Sequence, residues 1–128
     1  MSRQQILVVE DQEDNRTILR DLLTSAGFEV LEAVTGEEGI QMAEAHRPDL
    51  ILMDIQLPVV DGYEATRRIK SNPTLSAIPI IAVTSYAMSG DEMEAMRAGC
   101  DGYISKPFSP RSLLATVRDI LTRSARHA

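Results

Sequence analysis

The chain lacks the features that mark secreted, membrane-spanning and nucleic-acid-binding proteins. It has one cysteine among 128 residues, so no disulfide can form within it, which fits a reducing cytoplasm. No apolar run approaches the roughly 20 residues that span a bilayer, and the four-residue run near the N-terminus is too short for a secretory signal. The net charge is −6 without a basic stripe. We therefore expect a cytoplasmic protein that binds neither membranes nor nucleic acid.

The composition is that of a soluble globular protein, with 44% hydrophobic and 25% charged residues. The length fits one domain, and no long linker, repeat or low-complexity tract divides it. We expect residues 1–128 to form a single domain with no output domain attached.

Short apolar segments alternate with helical patterns along the chain. Strands are predicted at residues 6–9, 28–33, 50–53, 78–83 and 102–105. Helices are predicted at residues 14–26, 36–46, 61–71, 90–98 and 110–124. Such alternation is typical of an α/β fold with a parallel sheet and helices on both faces. Five strands favour the flavodoxin-like order 2-1-3-4-5.

Polar residues follow four of the predicted strands. Glu10 and Asp11 come after the first strand, Asp54 after the third, Thr84 after the fourth and Lys106 after the fifth. Any one of them alone is most often ordinary turn chemistry. In the order 2-1-3-4-5, however, these four strands are consecutive neighbours, and sites in such sheets form beyond the carboxyl ends of the strands. The sequence therefore predicts a site where the five side chains converge.

The charges of this set indicate a metal and a reaction. Three carboxylates repel one another, and Lys106 supplies only one positive charge. A hard divalent cation such as Mg²⁺ prefers oxygen ligands and would offset the rest. A carboxylate is also a competent nucleophile for phosphoryl transfer, which makes Asp54 the candidate acceptor. No glycine-rich phosphate loop is present, so a nucleotide donor is not expected.

Four segments carry a resemblance to a known family. They are ILVVED (6–11), PDLILMDIQLPVVDGYE (48–64), PIIAVTS (79–85) and GYISKPF (102–108). Together they resemble the receiver domain of two-component response regulators, over the whole chain. AVTSYAMSGDE (82–92) and GCDGYISKPFS (99–109) are most similar to single-domain cell-cycle regulators and to the receivers of hybrid sensor kinases.

The resemblance implies roles for the acids. Asp54 would be the phosphoacceptor, supplied from a phosphohistidine of a histidine kinase or histidine phosphotransfer protein. Asp11, Asp54 and the main-chain carbonyl of Gln56 would hold Mg²⁺, with Glu10 assisting indirectly. The protein would then be a phosphoprotein of a bacterial phosphorelay.

The resemblance also implies a switch and an output surface. Thr84 would be the switch hydroxyl, Lys106 would contact the phosphoryl group, and the bond from Lys106 to Pro107 would be cis. Tyr103 matches an aromatic side chain that turns inward when Thr84 moves. The face made by the fourth helix, fifth strand and fifth helix would bind a downstream protein target, and Met88 is a candidate contact there.

Gln56 and Tyr86 stand two residues past Asp54 and Thr84, at positions that the resemblance links to phosphoryl lifetime. Both side chains are bulky. We hypothesise that they crowd the attacking water and make the aspartyl phosphate long-lived.

Several residues have simpler interpretations. Met93 and Met96 lie at helical spacing and are expected in the core, although exposed methionines would suit an adaptable binding face. Tyr103 can equally be a packed aromatic with a polar tip. Cys100 is expected to be a buried thiol, and His46 to be exposed.

Two other functions fit part of the pattern. A Mg²⁺-dependent phosphatase of the haloacid-dehalogenase type would use an aspartyl nucleophile, but it needs an acid two residues later, where this chain has Gln56. A receiver-like scaffold that never takes phosphate is the other alternative, and the complete set of Asp11, Asp54, Thr84 and Lys106 does not favour it.

Overall fold

The computed structural model describes residues 3–84 and 91–126. The strands are β1 Gln5–Val9, β2 Glu29–Ala33, β3 Leu50–Asp54, β4 Ile80–Thr84 and β5 Gly102–Ser105. The helices are α1 Glu13–Ser25, α2 Gly36–His46, α3 Gly62–Ser71, α4 Asp91–Ala98 and α5 Pro110–Arg126. The strands pair in parallel in the order β2-β1-β3-β4-β5. The predicted fold class and strand order are confirmed.

The burial of the strands explains their uninterrupted apolar sequences. Every residue of β3 and of β4 is buried, because helices cover both faces of the sheet there. α2, α3 and α4 close one face through residues such as Ile40, Ile69 and Ala95. α1 and α5 close the other face through residues such as Leu23 and Val117. β2 lies at the edge and buries only its last residue fully, in agreement with its mixed sequence.

Side-chain caps and turns set the boundaries of several elements. Asp61 accepts a hydrogen bond from the Glu64 N–H at 2.8 Å, which starts α3. Ser109 accepts one from the Ser112 N–H at 3.0 Å, next to the start of α5. β4 starts at Ile80, two residues later than predicted, because a turn bond still engages the Ile78 N–H with the Leu75 carbonyl at 3.0 Å.

The expectation that Met93 and Met96 lie in the core is wrong. Their side chains are 60% and 58% exposed. In the short helix α4, Ala95 and Ala98 are the residues buried among those described, and Ala95 packs into the core. Ile18 on α1 is likewise 57% exposed.

Other expectations can be compared directly with the structure. His46 is exposed and Cys100 is buried, as predicted. Tyr86 and Met88 lie outside the described residues. Within the described parts of the chain, none of the helices has the length and apolar character needed to cross a membrane.

Candidate functional site

Three acids meet at the carboxyl edge of the sheet. β1 and β3 are adjacent, with Val9 level with Met53, so Glu10 and Asp54 follow at the same height. One carboxylate oxygen from each of Glu10, Asp11 and Asp54 lies within 4.8 Å of the other two. Glu10 is 1% exposed and Asp54 5% exposed, while Asp11 is half-buried. The structure therefore brings together the acids that the sequence placed at this edge.

The Lys106 ammonium lies near two of these acids, at unequal distances. Lys106 Nζ lies 2.9 Å from Glu10 Oε1 and 3.9 Å from Asp54 Oδ2. Main-chain amides supply further donors: the Gln12 N–H bonds Glu10 Oε2 at 3.1 Å, and the Gln56 N–H bonds Asp54 Oδ1 at 3.0 Å. The pocket thus holds its carboxylates in fixed directions but neutralises them incompletely.

The pKa of Glu10 reflects this deficit of positive charge. Burial raises the pKa of Glu10 above its usual range, and the hydrogen bond and repulsion from Asp54 raise it further. The bonds from Lys106 and the Gln12 amide lower the pKa, but burial is the largest influence. A bound cation would lower the pKa of Glu10, because it stabilises the charged carboxylate. Since every side-chain donor in the acidic cluster is a hard carboxylate oxygen, the set fits Mg²⁺.

The ends of β4 and β5 complete the pocket. Thr84 is 2% exposed and ends β4, directly beside Ser105 in the register of the sheet. The Lys106 N–H donates to the Thr84 carbonyl at 2.7 Å, which ties the lysine to the end of β4. The Lys106–Pro107 peptide bond is cis. Tyr103, on β5, is half-buried against the core under α2, α3 and α4.

The first residue of α3, Gly62, lies against the main chain of Asp54 and Ile55. The Gly62 N–H donates to the Ile55 carbonyl at 3.1 Å. A Cβ at Gly62 would lie 2.7 Å from Ile55 Cα and would overlap the main-chain oxygen of Asp54. Only glycine allows α3 to approach the main chain of Asp54 and Ile55 this closely. The sequence indicated a turn and a helix start here, but not this contact.

A groove beside the pocket was not anticipated from the sequence. It has a volume of about 430 Å³ and is lined by Asn15, Ile18, Leu19, Lys106, Pro107 and Phe108. The exposed Ile18 side chain belongs to it. The sequence signal for this groove is the apolar residue Ile18 near the start of α1. Its proximity to Lys106 and Pro107 arises only in the folded chain, because these residues are far apart in sequence.

The fold and this edge define a class of protein, the phosphoaccepting signalling modules built on a flavodoxin-like sheet. The family model described as the response regulator receiver domain matches residues 6–118, and the chain belongs to that family.

Similar proteins of two kinds support this membership. The polar-differentiation response regulator DivK of Brucella anthropi is 46% identical over 116 residues, which cover 91% of this chain and 94% of that protein. DivK of Brucella ovis is 45% identical over the same coverage. A CheY-like receiver domain protein from Methanospirillum hungatei superposes with a TM-score of 0.92 at 31% identity, covering 99% of this chain and 100% of the other.

A further solved structure bears on the pocket. The receiver domain of the sensor histidine kinase PA1611 from Pseudomonas aeruginosa, described with a magnesium ion coordinated in its active-site cleft, has a TM-score of 0.83 at 40% identity. The match covers 95% of this chain and 97% of that one. Cell-cycle regulators and kinase receivers, the two subtypes that the sequence resembles, are both among these proteins. The chain is therefore a receiver domain and a phosphoacceptor of two-component signalling.

Proposed function

We propose that Asp54 accepts a phosphoryl group from a phosphohistidine, in the cytoplasm. The observation that carries this is the position of Asp54: it is buried, its Oδ2 lies 3.9 Å from Lys106 Nζ, and its carboxylate lies within the acidic cluster. A carboxylate oxygen of Asp54 attacks phosphorus and the P–N bond breaks. The electron pair returns to the imidazole, and an aspartyl phosphate forms.

The neighbouring groups neutralise the transferred group. The Lys106 ammonium, already at the pocket wall, moves from Glu10 towards the phosphoryl oxygens. The Thr84 hydroxyl, at the end of the adjacent strand, donates a hydrogen bond to one of them. The chain thereby promotes its own phosphorylation, and the later hydrolysis of the aspartyl phosphate occurs in the same pocket.

Mg²⁺ is the cofactor we assign to the acidic cluster. Asp11, Asp54 and the main-chain carbonyl of Gln56 would hold it, with Glu10 acting indirectly. When bound, it supplies positive charge next to the acceptor carboxylate. The raised pKa of Glu10 supports this assignment, because the pocket without a metal is short of positive charge.

The groove beside Lys106 suits the protein that carries the phosphohistidine, a histidine kinase or histidine phosphotransfer protein. Its lining includes the apolar side chains of Ile18 and Phe108 beside Lys106, the lysine of the pocket. Glu13 and Asp14 add exposed acids in the first turn of α1. We therefore expect a partner surface with an apolar centre and a basic rim.

The output surface is the face formed by α4, β5 and α5. Met93 and Met96 expose polarizable side chains there, which suits an adaptable contact with a downstream protein. Phosphorylation would engage the Thr84 hydroxyl and turn Tyr103 inward, shifting this face. Met88 stays a proposed contact on the same surface.

Intact mass measurement tests the acceptor. The protein is incubated with Mg²⁺ and acetyl phosphate, and one acid-stable, base-labile phosphoryl group is expected. Asp54→Asn should abolish the adduct, while Asp119→Asn, which changes an exposed acid on α5, should retain it. Steady phosphate release from diverse esters would instead indicate a phosphatase. Neither adduct nor turnover would indicate a scaffold.

A further inference from the structure

Arg16 connects Glu10, which follows β1, to Glu32 on the edge strand β2. Arg16 lies in the first half of α1, and its side chain is 19% exposed. Its Nη1 donates to the main-chain carbonyl of Glu10 at 3.1 Å. Its Nε lies 3.3 Å from Glu32 Oε1 on β2. One guanidinium therefore links the end of β1, the helix α1 and the edge strand.

This contact acts on the peptide unit between the two pocket acids. The Glu10 carbonyl and the Asp11 N–H belong to one rigid plane. A hydrogen bond to that carbonyl therefore also fixes the direction in which the chain continues to Asp11. Glu10 is held at its other end as well, because its carboxylate bonds Lys106 and the Gln12 N–H.

We propose that Arg16 is a positioning residue for the metal site, which fixes the Glu10–Asp11 peptide plane so that both carboxylates face the cation. This inference rests on the proposed function. A positioning role for Arg16 can be distinguished from a simple charge effect, because the two predict opposite changes in the affinity for Mg²⁺ when Arg16 is replaced. A cation near the site repels Mg²⁺, so loss of its charge alone would tighten binding. Loss of positioning weakens binding.

The experiment measures Mg²⁺ affinity by calorimetry on the full chain. Arg16→Met, which keeps the aliphatic stem, should raise the Kd for Mg²⁺ about 10-fold, the lower end of the effect of groups that orient metal ligands. Arg16→Lys should also raise the Kd, because an ammonium keeps the charge but lacks the planar fork that serves two partners. Arg20→Met is the matched control: Arg20 Nη1 lies 3.6 Å from Glu32 Oε2, so this variant removes a cation from Glu32 while Arg16 still bonds Glu10, and the Kd should not change.

The rate of phosphorylation by acetyl phosphate provides a second reading. At saturating Mg²⁺ the Arg16→Met rate should approach that of the wild type, whereas the Mg²⁺ concentration at half-maximal rate should rise with the Kd. An unchanged or lower Kd in folded Arg16→Met, with folding checked by urea unfolding, overturns the proposal. If Arg16→Met does not fold, Arg16→Lys decides in the same way. Failure of the wild type to bind Mg²⁺ and to take phosphate would instead refute the proposed function.

Discussion

Lys106 bonds Glu10 rather than Asp54 in this structure, with Nζ 2.9 Å from Glu10 Oε1 and 3.9 Å from Asp54 Oδ2. The ammonium therefore offsets an acid that we do not expect to be phosphorylated, while lying next to the one that we do. Oxygens of a phosphoryl group on Asp54 would compete with Glu10 for the same cation. We therefore expect Lys106 to pair with Glu10 when Asp54 is unphosphorylated and with the phosphoryl group when Asp54 is phosphorylated. The contribution of the Lys106–Glu10 pair to the free energy of unfolding can be measured.

Removal of Lys106 should destabilise the metal-free protein. Lys106→Met leaves the nearly inaccessible Glu10 carboxylate without its cation, and unpairing a buried charge costs about 3 kcal/mol. We expect the free energy of unfolding in urea at pH 7 to fall by about this amount. Arg123→Met breaks a pair with Asp119 at 3.0 Å in which both side chains are more than half exposed, and should cost less than about 0.5 kcal/mol. Equal losses in the two variants would contradict the prediction.

The contribution of Glu10 to the stability of the metal-free protein should fall as the pH rises above 4.5. The pKa of Glu10 is raised in the fold from its ordinary value of 4.5, so the folded state binds more protons than the unfolded chain in this window. The contribution is fully present below 4.5 and is lost as the pH rises through the folded pKa. Urea unfolding between pH 4.5 and pH 7, in the presence of a chelator, measures the slope.

Glu10→Gln is the control for this pH dependence, because it removes the titrating group and should flatten the curve. Saturating Mg²⁺ should offset the loss in the wild type, since a cation favours the charged form of the carboxylate. A slope that is the same in wild type and Glu10→Gln would show that another group titrates.

Much of the fold and of the pocket could be predicted because both follow from one-dimensional patterns. β3 and β4 are apolar up to their last residues, Asp54 and Thr84, which marks central parallel strands, and the strand order then places Asp54 beside Glu10. The expectations for Met93 and Met96 were wrong because spacing shows which residues share a helix face. It does not show which face meets the sheet.

The Arg16 contact could not be predicted for a different reason. It joins three segments that are separate in sequence, and it depends on the side chain of Glu32 on β2 reaching the same guanidinium. An arginine on a helix with acids nearby is also the usual pattern of a solvated surface. The groove next to Lys106 could not be predicted for the same reason, because α1 and the segment after β5 meet only in the folded chain.

A change at Ile18 should impair transfer from a protein donor and spare transfer from a small one. Ile18 is 57% exposed and lines the groove, so Ile18→Ser removes apolar contact area from the proposed partner. Loss of a good apolar anchor costs about 1–2 kcal/mol, which is about 10-fold in the rate constant at low concentration. The rates with a phosphorylated histidine kinase and with acetyl phosphate are compared.

Met96→Ser is the matched control for Ile18→Ser. Met96 is equally exposed, at 58%, but lies on α4, which covers the opposite face of the sheet from α1. Its rate with the kinase should equal that of the wild type. A slower reaction of Met96→Ser with an unchanged Ile18→Ser would move the docking site to α4.

Cys100 should react slowly with thiol reagents in the native protein. Its side chain is 4% exposed, and burial raises its pKa from 9.0 to about 11. At pH 8 this shift alone leaves about 100-fold less thiolate than in the unfolded chain. Labelling with a charged disulfide reagent, with and without urea, measures the ratio. Native Ser76→Cys, with its added thiol at an exposed site, should take up one equivalent rapidly, and rapid uptake by Cys100 itself would contradict the prediction.

Gln56 should set how long the aspartyl phosphate lasts. Its main-chain N–H bonds Asp54 Oδ1 at 3.0 Å and the residue is exposed, so under the crowding hypothesis its side chain would hinder the attacking water. Gln56→Ala should therefore speed the loss of phosphate, by about 10-fold if the crowding is worth about 1.4 kcal/mol. The decay is followed by intact mass after acetyl phosphate is removed, beside Tyr86→Ala and the control Gln41→Ala, which changes an exposed residue of α2. Decay at the wild-type rate in both Gln56→Ala and Tyr86→Ala would rule out crowding by these side chains, whereas faster decay in Gln56→Ala alone would assign the lifetime to the β3–α3 side of the pocket.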